Sequence, residues 1–165
     1  MPTVVVPFRN GKSRLALPAE AREAMELSML ATVLSAAKQV GRTLLVTDDA
    51  GLAERFDVAF VPDPGGGQGP AVAVAVAEAR DLPVLVVNAD LPRATVADLR
   101  ALAAAAPALV AAGDGTTNAL ALDDPARFEA LYGPGSSARF AALGLRPLDL
   151  PNLAADVDTL ADVAA

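Results

Sequence analysis

The side chains of this sequence that could do chemistry are carboxylates, a few cations and small hydroxyls, and they gather in short stretches. In Val84-Leu85-Val86-Val87-Asn88-Ala89-Asp90-Leu91-Pro92 an apolar run ends in an aspartate. A carboxylate at the end of a buried strand can hold a hard divalent cation against the phosphates of a nucleotide. The plainer role for Asp90, a helix cap, is better filled by Thr95. In Asp156-Val157-Asp158-Thr159 two carboxylates stand at i and i+2, which in extended chain project to one side. Their repulsion at close range calls for a cation or a base, and Asp158 or Thr159 could also cap a last helix. The loop Pro7-Phe8-Arg9-Asn10-Gly11-Lys12-Ser13-Arg14-Leu15 carries three cations and a glycine, a cradle suited to a polyphosphate. It lacks the first glycine of the usual phosphate-binding loop, and a solvated basic loop is the plainer alternative.

Two further stretches offer backbone. Asp63-Pro64-Gly65-Gly66-Gly67-Gln68-Gly69-Pro70 leads into a helix, and its adjacent glycines let main chain approach a flat base or a sugar. Gly115-Thr116-Thr117-Asn118 and Tyr132-Gly133-Pro134-Gly135-Ser136-Ser137 are short, hydroxyl-bearing turns suited to a small phosphate or carboxylate.

Composition removes other chemistries. The 165 residues include no histidine and no cysteine, so disulfide frameworks, zinc fingers, cysteine nucleophiles and Ser-His-Asp hydrolysis lose their essential groups. Any metal must sit on carboxylates, which suits magnesium or manganese. With 20 acidic against 13 basic residues, a net charge of −7, no general attraction to nucleic acid or anionic membrane is expected. An anionic substrate must find a local basic site. Apolar runs such as Val72–Ala77 are far shorter than the ~20 residues of a membrane span, and the N-terminal stretch lacks the basic and apolar segments of a signal peptide. The expectation is a soluble, cytoplasmic protein.

These groups need a frame. Thr3–Val6, Thr43–Thr47, Val58–Val61, Val84–Val87 and Ala108–Ala111 are continuous apolar runs of strand length and read as strands buried on both faces. Between them lie helical patterns over Pro18–Lys38, Asp49–Arg55, Pro70–Arg80 and Thr95–Ala106. Thr95 with Asp98 forms a capping-box start, and Pro70 suits a first helical position. Asn118–Leu122, a segment broken by proline and glycine, and a short helix near Thr159–Ala164 follow. The order predicts one α/β domain over residues 1–165, a three-layer αβα fold of Rossmann-like type with a mainly parallel, mixed sheet. In such a sheet ligands bind beyond the carboxyl ends of the strands, where the polar and glycine-rich stretches fall.

Seven stretches in order, VPFRNGKSRL (6–15), VTDD (46–49), VPDPGGG (61–67), NADLP (88–92), TNAL (117–120), YGPGS (132–136) and DVDT (156–159), resemble the 2-phospholactate or phosphoenolpyruvate guanylyltransferases of deazaflavin coenzyme (F-420) biosynthesis. That family lies within the superfamily containing the molybdenum cofactor guanylyltransferases. The resemblance implies a Rossmann-like nucleotidyltransferase fold and a magnesium-dependent reaction of GTP with a small phosphorylated carboxylic acid. It implies Asp90, Asp156 and Asp158 as metal ligands, and Thr117, Gly133, Gly135 and Ser136 as the acceptor loop. Lys12 and Arg14, with Asp90, take the catalytic positions; Pro7, Arg9, Lys12, Gly66, Gly67 and Pro70 line the nucleotide. It further implies a monomer or homodimer that hands its product to the next transferase of the pathway. This sequence departs from the family pattern in four places. Its first loop is short, Arg9 stands where lysine is common, Gln68-Gly69 replaces a more usual Leu-Asn, and Phe140 stands where many relatives have histidine. The alternatives are a nucleotidyltransferase for another acceptor, such as a molybdopterin or a sugar phosphate, and a non-catalytic nucleotide-binding domain.

Overall fold

A computed structural model describes residues 1–10 and 16–157. Strand β1 (Thr3–Pro7) leads to helix α1 (Ala19–Val40), followed by β2 (Arg42–Thr47), α2 (Ala50–Phe56), β3 (Ala59–Pro62), α3 (Gln68–Glu78), β4 (Val84–Val87) and α4 (Val96–Ala104). Next come β5 (Ala108–Ala111), β6 (Thr117–Leu122), α5 (Ser136–Ala142), β7 (Arg146–Pro147) and α6 (Pro151–Ala154). The strands form one seven-stranded sheet in the order β3-β2-β1-β4-β6-β5-β7. β1 pairs in parallel with β2 and β4, and β2 with β3. β6 runs antiparallel to both β4 and β5, so the sheet is mixed as expected.

The central strands are apolar through their middles because helices cover both faces, with polar residues at their ends, while the strand period of two sorts their side chains between two cores. Val4, Val6, Leu45, Leu85 and Val87 face Leu30 and Leu34 of α1 and Leu99 and Leu102 of α4. Val5, Leu44, Val46, Val84 and Val86 face Val72, Ala75 and Val76 of α3 and Phe140 of α5. β3 departs from the expectation of burial on both faces: it is an edge strand, and Phe60 is 39% exposed.

Local signals explain the helix starts. Asp49 caps α2 by accepting from Gly51 N at 3.0 Å, and Thr95 caps α4 in a complete capping box with Asp98. Pro70 is a correction, since α3 begins at Gln68 after the cap residue Gly67 and the proline falls third. Proline is tolerated there because none of the first turn's amides has a partner within the helix. α5, β7 and α6 occupy the stretch read as broken segment, and the helix expected near Thr159–Ala164 lies outside the described residues.

Phe140 is fully buried, at ring-centroid distances of 5.3 Å from Tyr132 and 6.4 Å from Phe128. The position where relatives carry histidine is thus an aromatic anchor that fastens the 128–132 segment under α5. Truncation by Phe140→Ala leaves a cavity in a close-packed cluster and is expected to cost about 3–5 kcal/mol, read as a lowered midpoint in urea denaturation.

Candidate active site

The carboxyl ends of β1, β3 and β4 open onto a cleft of about 200 Å³, walled by Pro7, Arg9, Asp63, Gln68, Asn88 and Asp90. Alternating strand and helix place all these residues at one sheet edge, since each follows or ends a parallel strand. Glu26 of α1 also lines the cleft and is only 3% exposed. In the sequence it looks like one of several solvated helix charges.

Arg9, next after the end of the β1 ladder but one, donates from Nε and Nη2 to the two carboxylate oxygens of Asp63 at 2.7 and 2.9 Å. Asp63 also accepts from Gly65 N at 2.8 Å, so one carboxylate ties the first loop to the glycine turn. The hydrogen bond from Arg9 holds the Asp63 carboxyl below its ordinary range, and the same bond raises the guanidinium. Gly65, Gly66 and Gly67 all have positive φ, 82°, 90° and 104°, a backbone that side-chain-bearing residues rarely adopt. Gly65, Gly66 and Gly67 therefore form the turn between Asp63 and α3, with Pro70 in the first turn of that helix, and the cleft is lined by their neighbours Asp63 and Gln68. Lys12 and Arg14 lie outside the described residues.

On the far side the acidic residues converge. Val157 N donates to Asp90 O at 3.1 Å, drawing the C-terminal segment against the end of β4. Asp156 Oδ1 accepts from Asn118 Nδ2 at 3.4 Å, and the same amide donates to Leu153 O at 3.0 Å. Asp90 is half-buried with Oδ1 shielded from solvent. Carboxylate oxygens are the hard donors a magnesium-like cation takes, and the backbone bond sets Asp156 on the segment drawn against Asp90. The described residues alone contain no complete three-carboxylate cluster, and Asp158, the third expected ligand, lies outside them.

The acceptor loop forms at the start of β6. Thr117 and Ser136, 3% and 0% exposed, share a hydrogen bond of 2.9 Å between their hydroxyls. Gly133 and Gly135, at φ 113° and 73°, shape the turn between Tyr132 and α5. Arg139 holds that turn, donating at 2.8 Å to both Pro134 O and Leu131 O. Burial pushes the Tyr132 phenol well above its usual pKa. The four residues assemble, though none lines the cleft itself.

Asn88 joins the two halves. Its backbone N donates to Asn118 O at 3.0 Å, its Nδ2 donates to Thr117 O at 3.1 Å, and its Oδ1 accepts from Gln68 Nε2 at 2.7 Å. No sequence argument assigned a role to Asn88, Gln68, Asn118, Asp63 or Arg139. The pairing of β4 with β6 that brings Asn88 to Thr117 is a long-range fact with no local signature. Gly69, the other residue that departs from the family pattern, has a packing reason: a Cβ there would lie 2.7 Å from Ala130 Cβ.

The mixed αβα sheet, with carboxylates and a glycine turn at its carboxyl edge, defines a nucleotide-handling transferase domain. The MobA-like NTP transferase domain family matches residues 9–144, and the chain belongs to that family of nucleotidyltransferases. It is 38% identical to a phosphoenolpyruvate guanylyltransferase of Thermomonospora curvata, over 98% of this chain and 79% of that protein. It is 36% identical to one of Sphaerobacter thermophilus, over 96% of this chain and 89% of that one. Among solved structures, a Desulfovibrio desulfuricans protein provisionally described as a nucleotide-diphospho-sugar transferase shares the fold with a TM-score of 0.75 at 17% identity, covering 98% of this chain and 84% of the other.

The Arg9–Asp63 clasp generates a prediction. Because the Asp63 pKa is lowered by folding, the pair stabilises above the ordinary carboxylate value of about 4 and loses that contribution as pH falls through the folded value. Arg9 is half exposed, so solvent screening limits the effect of Asp63→Asn to about 1 kcal/mol. Denaturation of both proteins at pH 7 and pH 3 should show a difference at the first that shrinks at the second.

Proposed function

We propose that the protein transfers GMP from GTP to the phosphate of a small phospho-acid, phosphoenolpyruvate or 2-phospholactate, with release of pyrophosphate. The observation that carries this reading is that the segment holding Asp156 docks on Asp90 while Asn118 reaches Asp156 and its neighbour Thr117 pairs with Ser136. Near-full-length identity to proteins named phosphoenolpyruvate guanylyltransferase supports the choice of substrates.

In the reaction a phosphate oxygen of the acid forms a bond to the α-phosphorus of GTP. The bond from that phosphorus to the pyrophosphate oxygen breaks, and the negative charge that builds on the departing pyrophosphate must be met. A phosphate monoester has its second pKa near ~6 and is largely ionised at neutral pH, so the chain needs no histidine to create the nucleophile. Its own work is positioning and charge neutralisation. Asp90, Asp156 and Asp158 would hold magnesium, which when bound neutralises phosphate charge and orients the triphosphate. Lys12 and Arg14 would meet the remaining charge, while Arg9, braced by Asp63, and Pro7 line the cleft that would take the nucleoside, with Gly66, Gly67 and Pro70 following Asp63. Thr117 and Ser136 offer hydroxyls, and Gly133 and Gly135 backbone, to the acid. A small buried hydroxyl pair suits a compact acid better than a pterin.

The product carries a diphosphate joining acid to nucleoside, an activated linkage, and its consumer would be a transferase that displaces GMP, as in deazaflavin coenzyme assembly. The reading places the protein in the cytoplasm as a monomer or homodimer; no described helix is long and apolar enough to cross a membrane.

Incubation with GTP, ATP or CTP and each phospho-acid, followed by mass spectrometry, should yield a guanylylated acid and pyrophosphate from GTP; adducts with other nucleotides or none with either acid would refute the assignment. Asp90→Asn should lower kcat about a thousandfold, the scale of several kcal/mol of lost charge stabilisation, while circular dichroism stays that of the parent.

A further inference from the structure

The hydrogen bonds around Gln68 settle which of its amide atoms is left for a ligand. A backbone carbonyl can only accept. Thr117 O therefore requires the NH2 end of Asn88, which it meets at 3.1 Å. That leaves Asn88 Oδ1 turned toward α3, and an oxygen in that place requires a donor from Gln68, met by Nε2 at 2.7 Å. Gln68 Oε1 is then the polar atom of this side chain that takes no donor among the described residues. Gln68 is half-buried and lines the cleft at the first residue of α3. Reversing its amide would set two oxygens against each other at Asn88, so the orientation follows from the strand pairing that presents Thr117 O.

We propose that Gln68 is a specificity-determining residue whose Oε1 accepts a hydrogen bond from an N–H or O–H of the bound nucleoside, with Asn88 as the positioning residue that fixes its amide. The inference rests on the nucleotide-binding part of the function above. An acceptor at this point disfavours the triphosphate, whose oxygens are acceptors too, and selects the neutral part of the ligand. The donors a guanine nucleoside carries are N1–H and the 2-amino group of the base and the two ribose hydroxyls. All share one chemistry, and analogues lacking each in turn tell them apart. A leucine at this position would offer no acceptor.

The test is calorimetric binding to the full chain with magnesium present and no acceptor acid. The probes are GTP, ITP (no 2-amino group), 2-aminopurine riboside triphosphate (no N1–H), 2′-deoxy-GTP and 3′-deoxy-GTP. A single neutral hydrogen bond corresponds to about a three- to tenfold change in Kd. The parent protein should lose that factor with one of the four analogues; Gln68→Leu should bind GTP weaker by the same factor and bind GTP and that analogue alike. Gln68→Met, of similar length, repeats the measurement should the leucine variant not fold, with the thermal midpoint as the check. Asn88→Asp, which cannot donate to Thr117 O, should reduce the same discrimination without altering the ratios for the other analogues. Unchanged GTP affinity in both Gln68 variants, or ratios that match the parent for all four analogues, overturns the proposal. Failure of the function itself reads differently: the parent protein would bind nucleotides with these ratios yet form no guanylylated acid.

Discussion

β4 and β6 run in opposite directions side by side, with Val87 opposite Ala119, and nearly every feature of the site depends on that reversal. A strand that returned in parallel would deliver its far end, Leu122, to the carboxyl edge of the sheet. The antiparallel strand instead delivers its first residues, Thr117 and Asn118, directly beside Asn88. From there the consequences spread in two directions. Asn118 reaches the C-terminal segment and Asp156, and Thr117 reaches Ser136 at the start of α5. Asn88, Thr117, Ser136 and Asp156 come from distant parts of the chain and are linked because one strand turns back.

The electrostatic setting follows from a composition with net charge −7 and no histidine. Such a chain cannot attract polyanions by its overall field, so cations must be held where they are needed. Arg9 is the described example: an exposed guanidinium braced by a carboxylate that is itself tied to the glycine turn. Bidentate pairing fixes the plane of the guanidinium more firmly than a single contact would. The carboxylate that keeps Arg9 in place also lowers its net charge at the cleft, so its contribution is as much shape as charge.

Much of the frame was legible because its signals are local. The five apolar runs became strands, Thr95 and Asp98 formed the capping box, and Asp90 stands past a buried strand as expected. Boundaries shifted where sequence rules permit more than one start, as at Pro70. The illegible parts are those set by pairing across the sheet. Nothing near Gln68 in the sequence points to Asn88, and nothing near Asn88 points to Thr117, because their meeting depends on strand order. Short elements such as β7, with two residues, carry too little pattern to be read at all. Glu26 was hidden for the opposite reason, since a helix rich in charge gives no sign of which carboxylate turns inward.

The close approach of Gly69 to Ala130 carries an evolutionary implication. Two positions far apart in the chain share a space that holds one methyl group and no more. A lineage that acquired any larger residue at 69 would first have to shift or reroute the segment holding Ala130, and until then selection would remove it. The two sites are therefore expected to change together across descendants of this sequence, so the choice of residue at the front of α3 is tied to the path of a loop on the acceptor side.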